Sequence, residues 1–483
     1  MTLGDSAATG LRLEQTGDGG HNNSSSIFPT AAPFARAPGR RVRSRLCNLL
    51  ATTLSADVLH YELIVVGAGA AGLIAAARAA ELGKRTLLLE KNRKPGVKIL
   101  ISGGTRCNLT HDCDARGIVA AFGSAGPFLN SALARLGPRD VVELFHAEGV
   151  PTYVEAGTGK VFPLSDRALD VANALVRRLR RSGAELALGE PVTRIERIEG
   201  EERARFRVTT PLRSLTAAKL LVAVGGKSYA GCGTTGDGYR WLAELGHTIR
   251  PPRPALVPLT SDAAWVRELS GIAIPDMVLR VAPSDPARPV KRVRGLPPGV
   301  LIERRGAVLF THTGLSGPTP LDVSREVTKA GDPRDVVLLA DFFPDVPAEK
   351  LAEQLREAAE RDGKKFVVGL VPDVLPRRLV EALFVQAEVP IDRRAAEFGK
   401  AERARVVEAL KRGRIPVSGS RGFDKAEVTA GGVALDEVDS RTMESKLVPG
   451  LYLAGEILDL DGFIGGYNFQ AAFSTGLLAA ESL

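Results

Sequence analysis

The sequence predicts an α/β protein whose main domain is discontinuous, and three observations carry that prediction. Between Tyr61 and Asn92 a buried strand runs straight into a glycine-rich turn, an alanine-rich helix ending at Gly83 and a second strand. A similar strand, turn and helix returns at the end of the chain, in PGLYLAGEILDLDGFIGGYNFQAAFSTGLLAAESL. Between the two the pattern changes twice, first to short strands broken by Gly and Pro, then to amphipathic helices. A length of 483 residues agrees, because it exceeds what one hydrophobic core usually organises.

Residues 1–59 mix Gly, Ser, Asn and Thr with a short basic stretch, GRRVRSRLCNLL, and are expected to form a disordered leader. Asp5, Glu14 and Asp18 argue against a transit peptide, and no secretory hydrophobic region occurs. The main domain is expected over 60–252 and 424–483, with a β-rich insert at 253–345 and a helical module with its return at 346–423. Helices are read in AEKLAEQLREAAERDGKK and KAERARVVEALKRG, with a Pro-containing break between them.

Composition narrows the function. Hydrophobic residues make up 44% and charged residues 25%, which excludes a fibrous or wholly disordered protein. No apolar run approaches the roughly 20 residues that span a bilayer, so no membrane partner is expected. The net charge of +8 would suit nucleic acid, but Arg is spread along the chain and aromatics are only 5%, so nucleic acid is not an expected partner. Cys47, Cys107, Cys113 and Cys232 form no CxxC pair, which makes a reducing cytoplasm the expected location. Histidines without HExxH spacing give no metal site, and a GxSxG elbow is missing. Oligomeric state is left open.

Gly67-Ala68-Gly69-Ala70-Ala71-Gly72 directly follows strand ELIVV and opens a helix, the context of a dinucleotide-binding turn. Its glycines allow a tight turn, approach of a pyrophosphate to backbone N–H groups, and close helix–strand packing. A valine at Gly67 is expected to stand where the pyrophosphate approaches. Glu90, followed by Lys91, ends the second strand, where a carboxylate accepts from adenosine ribose hydroxyls. This much fits NAD and FAD alike. The next loop adds Lys98, Ser102, Gly103, Gly104, Arg106, Cys107 and Asn108 just past the ribose-binding strand, as a cofactor as long as FAD requires. Two more strands run into glycine turns, at Gly225-Gly226 and at Gly455-Glu456, and the latter leads to Gly466-Tyr467-Asn468-Phe469-Gln470, where a helix begins. The positive end of that helix suits the flavin edge that gains charge on reduction.

In this order GAGAAG, SGGTRCNLT, VGGKSY with TTGDGY, FTHTGLSGP and TMESKLVPGLYLAGEILDLDGFIGGYNFQAA resemble the aminoacetone-oxidase-like, BaiN-type flavoproteins over about residues 61–483. The resemblance implies a Rossmann-like FAD domain of the two-dinucleotide-binding-domain flavoprotein type, interrupted by a β-barrel-like domain and a small helical domain. It also implies FAD contacts at the residues above and at Asp461. The activity expected is an FAD-dependent oxidoreductase acting on a small or medium organic substrate, by amine or amino-ketone oxidation or by enone or alkene reduction. NAD(P)H is expected only as a transient reductant, because the chain carries one complete GxGxxG fingerprint. The alternatives are an FAD-binding RNA-modifying or RNA-associated protein and a flavin sensor without turnover.

No catalytic residue is assigned. Five residues separate Cys107 from Cys113, the wrong spacing for a flavin-linked redox pair, so a catalytic disulfide is not expected. His312, beside a glycine turn, is read as a structural hydrogen-bonder ahead of an acid/base. Tyr467 is read as capping a flavin pocket or packing its turn. Cys232 leaves the geometry of its loop open.

Overall fold

The computed structural model describes residues 59–200 and 204–483; the expected leader lies, but for Leu59, outside the described residues. The first strand, β1 (Leu59–Val66), is the spine of a seven-stranded sheet. It pairs in parallel with β2 (Thr86–Glu90) on one side and with strand Ser214–Val222 on the other. Leu63, Ile64 and Val65 are at most 1% exposed. A strand buried on both faces is a continuous apolar run, which is how ELIVV reads. Strand Glu185–Leu188 extends the sheet beyond β2, strand Leu451–Leu453 adds in parallel to Ser214–Val222, and an antiparallel hairpin, Arg194–Arg197 with Phe206–Thr209, completes it.

Helix α1 (Ala70–Glu81) links β1 to β2. Its small side chains let the C-terminal helix Tyr467–Glu481 approach closely: a Cβ on Gly476 would stand 2.5 Å from the Ala71 carbonyl oxygen. This helix contact joins the last segment of the chain to the first, so the domain is discontinuous as the sequence indicates.

The insert is a second seven-stranded sheet, antiparallel throughout, in the order Gly413–Pro416, Val336–Asp341, Ala273–Pro283, Ile302–Thr311, Gly314–Ser316, Leu259–Thr260, Gly419–Ser420. Its two edge strands are consecutive in the chain, and between them Ser418 N–H donates to Thr260 O at 2.8 Å, so the sheet curls toward a barrel. The β-rich stretch also holds a helix that periodicity missed, Pro318–Lys329. Its entry through GPTP reads as a turn, although Pro at the first helical position is compatible with a helix. The Pro-containing break likewise holds a helix, Arg377–Gln386, between Ala348–Arg361 and Lys400–Arg412.

Each sheet has its own core, one built from segments between Tyr61 and Leu245 and between Val433 and Ala480, the other from Leu259 to Val417. An antiparallel ribbon, Ile249–Ala255 against Val428–Val433, carries the chain into and out of the insert. Gly476→Val is expected to lower stability by about 2 kcal/mol through overpacking against α1. Gly331→Ala, with nothing within 4 Å of the new Cβ, should stay within about 0.5 kcal/mol of wild type in thermal or urea melts.

Candidate functional site

At the carboxyl ends of the parallel strands lies a cavity of about 620 Å³. This size is ordinary for a cofactor or substrate site. The glycine turn forms one wall. Gly67 has φ +101°, and a Cβ there would stand 2.6 Å from the Ala223 carbonyl oxygen, against the end of the neighbouring strand. A Cβ on Gly72 would overlap the Gly67 carbonyl, so Gly72 packs the helix onto its own turn. Gly69 has nothing within 4 Å. The sequence reading is corrected here: a side chain at Gly67 strikes the sheet, whereas one at Gly69 enters the cavity. Ala68, Ala70 and Ala71 line the same wall.

Glu90 also borders the cavity, but its first partners are protein. Its Oε2 accepts from Ala68 N–H and its Oε1 from Asn92 N–H, both at 2.8 Å, which ties the turn to the end of β2. Lone pairs remain on both oxygens for a hydroxyl donor. Lys91 Nζ donates to Thr235 Oγ1 at 2.6 Å and Asp237 Oδ2 at 2.7 Å. Beyond Glu90 the wall continues through Glu190, Val192 and Trp241, whose buried indole Nε1 has no hydrogen-bond partner among the described residues.

The loop after β2 is more regular than expected: a short helix, Val97–Ile101, passes into a 3₁₀ turn, Ser102–Thr105, with Gly103 and Gly104 both left-handed. Lys98 Nζ binds Glu456 Oε2 at 2.5 Å and Ser228 Oγ at 2.8 Å. Glu456 Oε1 accepts from Ser228 Oγ and Thr429 N–H at 2.9 Å. This half-buried knot joins the loop, the Gly225 turn, the Gly455 turn and the ribbon to the insert. Arg106 pairs with Glu155 at 3.0 Å and lies 3.9 Å over the Phe162 ring. Asn108, in the amide orientation that satisfies its neighbours, accepts from Gly466 N–H at 2.9 Å. Gly225, Gly455, Gly466, Asn468 and Phe469 line the cavity with Ser102, Gly103, Gly104, Arg106 and Asn108.

Six expected residues stand behind the wall instead. Gly72 packs the turn, and a Cβ on Gly226 would strike Thr429. Cys107 is fully buried with φ +63°, and burial pushes its thiol up to about 12. Asp461 pairs with Arg325 at 3.0 Å, and burial raises it to about 6. Tyr467 stacks on His111 at 4.8 Å. Gln470 is buried, donating to Leu136 O at 2.8 Å and accepting from Thr110 Oγ1 at 2.6 Å. Burial also pushes Cys113 up to about 11, so neither thiol is a ready thiolate. His312 is exposed, lies off the cavity and makes no hydrogen bond among the described residues, which fits neither role considered for it. Cys232 closes a 3₁₀ turn, Ala230–Cys232, and does reach the cavity.

The sequence reading missed Lys160, Phe162, Trp241 and Glu427, all in the wall. Lys160 opens the short strand Lys160–Pro163, and Glu427 immediately precedes strand Val428–Val433. No local pattern in the sequence singles out Glu427. Its side chain is exposed to the cavity and makes no hydrogen bond among the described residues, and loss of water deep in the fold raises its pKa, with Lys98 and Lys160 pulling it back less strongly.

Residues 61–482 match the family described as HI0933-like protein Rossmann domain. A Haemophilus influenzae protein described as ribosomal RNA dihydrouridine synthase is 33% identical over 427 residues, 88% of this chain and 98% of the relative. An Escherichia coli protein of the same description is 33% identical over 428 residues, with the same two coverages. A Clostridium scindens 3-dehydro-bile acid delta(4,6)-reductase is 29% identical over 425 residues, 86% of this chain and 98% of the relative.

The glycine geometry separates two substitutions. Gly69→Val should leave the melting profile near wild type yet abolish retention of a dinucleotide cofactor, read as visible absorbance after gel filtration. Gly67→Val should destabilise the fold itself, read as early unfolding of cofactor-free protein.

Proposed function

The chain belongs to the HI0933-like Rossmann family, and from that premise we propose that this FAD-dependent oxidoreductase saturates a carbon–carbon double bond conjugated to a carbonyl group. FAD would lie along the cavity, its pyrophosphate at Gly69 and the first N–H groups of α1, its adenosine toward Glu90, Val192 and Trp241. Its flavin end would lie toward Gly103, Gly104 and the start of the C-terminal helix. The residues fit the group: Gly69 leaves space where an anion must approach the backbone, and the orphaned Trp241 Nε1 lies at the adenosine end. When bound, FAD supplies the hydride. NAD(P)H as a transient reductant belongs to the same proposal, since a second fingerprint is missing from the sequence.

The observation that carries the reading is Lys160. Four cations border the cavity, and three are held by carboxylates: Lys91 by Asp237, Lys98 by Glu456 and Arg106 by Glu155. Lys160 has no carboxylate within 4.0 Å among the described residues. Hydride addition to a conjugated double bond drives negative charge onto the carbonyl oxygen. An unshared ammonium beside that oxygen stabilises the charge as it develops. Phe122, Phe162, Phe463 and Phe469 line the cavity and exclude water, which strengthens the interaction.

Both descriptions of the relatives concern such a bond. Dihydrouridine arises when the double bond of uracil, conjugated to a ring carbonyl, is saturated; a 3-dehydro-4,6-diene steroid carries the same arrangement. The uracil ring of ribosomal RNA is the substrate we favour, against the sequence expectation of no nucleic-acid partner, and the two relatives at 33% identity support it. A free steroid-like enone is the second reading, favoured by the phenylalanine lining. Anaerobically reduced holoenzyme should regain its oxidised flavin spectrum on mixing with an unmodified ribosomal RNA transcript, with nucleosides that gain two hydrogen atoms by mass. Reoxidation by a 3-oxo-4,6-diene steroid alone would select the second reading, and reoxidation by neither would contradict the proposal.

A further inference from the structure

We propose that Glu427 is the acid that protonates the α carbon of the double bond being saturated. The proposal rests on the reductase reading above and assigns the proton source that reading leaves open.

Among the described residues five carboxylates border the cavity, and four of them are engaged by protein donors. Glu90 accepts two backbone N–H groups, Glu190 binds Arg213 at 2.9 Å, Asp237 binds Lys91 at 2.7 Å, and Glu456 binds Lys98, Ser228 and Thr429. Against partial desolvation, Arg213 and Thr210 hold Glu190, and Lys91 and Thr235 hold Asp237, below the usual carboxylate range. Glu427 differs. Its backbone is pinned on both sides, the N–H donating to Leu256 O at 3.1 Å and the carbonyl accepting from Ser228 Oγ at 3.4 Å. Its carboxyl makes no hydrogen bond among the described residues and is turned into the cavity. The charged groups facing it are Lys98, itself held by Glu456, together with Lys160 and Asp322. The side chain is exposed to the open cavity, which lies deep in the fold, and loss of water around it there outweighs the two lysines and raises its pKa above that of an ordinary glutamate. Of the other candidate donors, Cys107 and Tyr467 do not border the cavity, whereas Tyr229 and Cys232 do, Cys232 on the adenosine side, where its carbonyl accepts from the Asn92 amide at 3.0 Å.

The step balances as follows. With reduced FAD bound as the source of the hydride that the β carbon would gain, the π electrons would move toward the α carbon and the carbonyl oxygen, whose charge Lys160 would stabilise. The α carbon then takes the proton from the Glu427 carboxyl, whose O–H bond breaks. The product has gained two hydrogen atoms, FAD is left oxidised, and the Glu427 carboxylate regains its proton from solvent.

The test compares holoenzyme of wild type, Glu427→Gln and Glu427→Asp, each checked for equal FAD content. Two measurements are made. Anaerobic reoxidation of the reduced flavin is followed with the unmodified ribosomal RNA transcript and the 3-oxo-4,6-diene steroid. Infrared spectra of the oxidised, substrate-free proteins are compared over a pH series that starts in the ordinary glutamate range and rises above it, for the carbonyl stretch of a protonated carboxyl that persists above that range. Glu427→Gln should slow reoxidation about 100-fold or more, and Glu427→Asp should recover part of the loss. Because the acid form is needed, the wild-type rate should fall as pH rises through the raised pKa, while the residual Gln rate stays flat. The infrared band should be present in wild type and missing in Glu427→Gln. A wild-type rate in Glu427→Gln, or spectra that do not differ in that band, overturns the assignment of Glu427 while leaving the reductase reading standing. Wild-type enzyme that neither probe reoxidises overturns the reductase reading and this proposal with it.

Discussion

The backbone at Gly67 is where three strand ends meet. Its N–H donates to Leu89 O at 2.8 Å, the next residue's N–H reaches the Glu90 carboxylate, and its missing Cβ leaves room for the Ala223 carbonyl. Ala223 N–H closes the set by donating to Val66 O at 2.9 Å. With the chain held in this left-handed turn, α1 starts immediately, and its first N–H groups border open space instead of another strand. Everything downstream depends on that opening: the strands ending at Val222 and Leu453 deliver Gly225 and Gly455 to the same edge, and the C-terminal helix closes the far side.

The insert contributes the other half of the site through a second set of contacts. Asp322, on helix Pro318–Lys329, accepts from Ile464 N–H at 2.7 Å and pairs with Arg304 at 2.9 Å. Arg325 on the same helix pairs with Asp461, and Arg304 lies 4.0 Å over the Phe463 ring. The loop from Asp461 to Gly466 is therefore gripped by the insert and presents Phe463 and Ile464 to the cavity. Asp461 belongs to this grip, which places it behind the wall. The cavity is bounded on one side by groups suited to a dinucleotide and on the other by Lys160, Phe162 and Glu427, a division that suits an FAD-dependent oxidoreductase with a separate substrate region.

The parts of the site that were legible in the sequence are those fixed by local rules. A strand, a spaced-glycine turn, a helix and an acid at the end of the next strand occur within one βαβ unit, so Gly67 to Glu90 could be read directly. Glu427 could not. It comes to the cavity only because Ile249–Ala255 pairs with Val428–Val433, far apart in the chain, and no local pattern announces that register. Lys98 reads in the sequence as part of a cofactor loop, and its pairing is hidden there because Glu456, its partner, lies 358 residues away. Helix Pro318–Lys329 was hidden by its prolines, which read as turn residues until the sheet beneath it is known. Tyr467 and Gln470 were placed correctly at a helix start, but the rotation of that helix, which turns them toward His111 and Leu136, is set by packing against α1.

The most direct test of the account is an equilibrium titration of cofactor-stripped wild-type protein with FAD, followed by quenching of flavin fluorescence and by the recovered visible spectrum. The account predicts saturation at one FAD per chain, with no comparable binding of NAD⁺ in parallel. Saturable binding of NAD⁺ alone, or no binding of either, would contradict it.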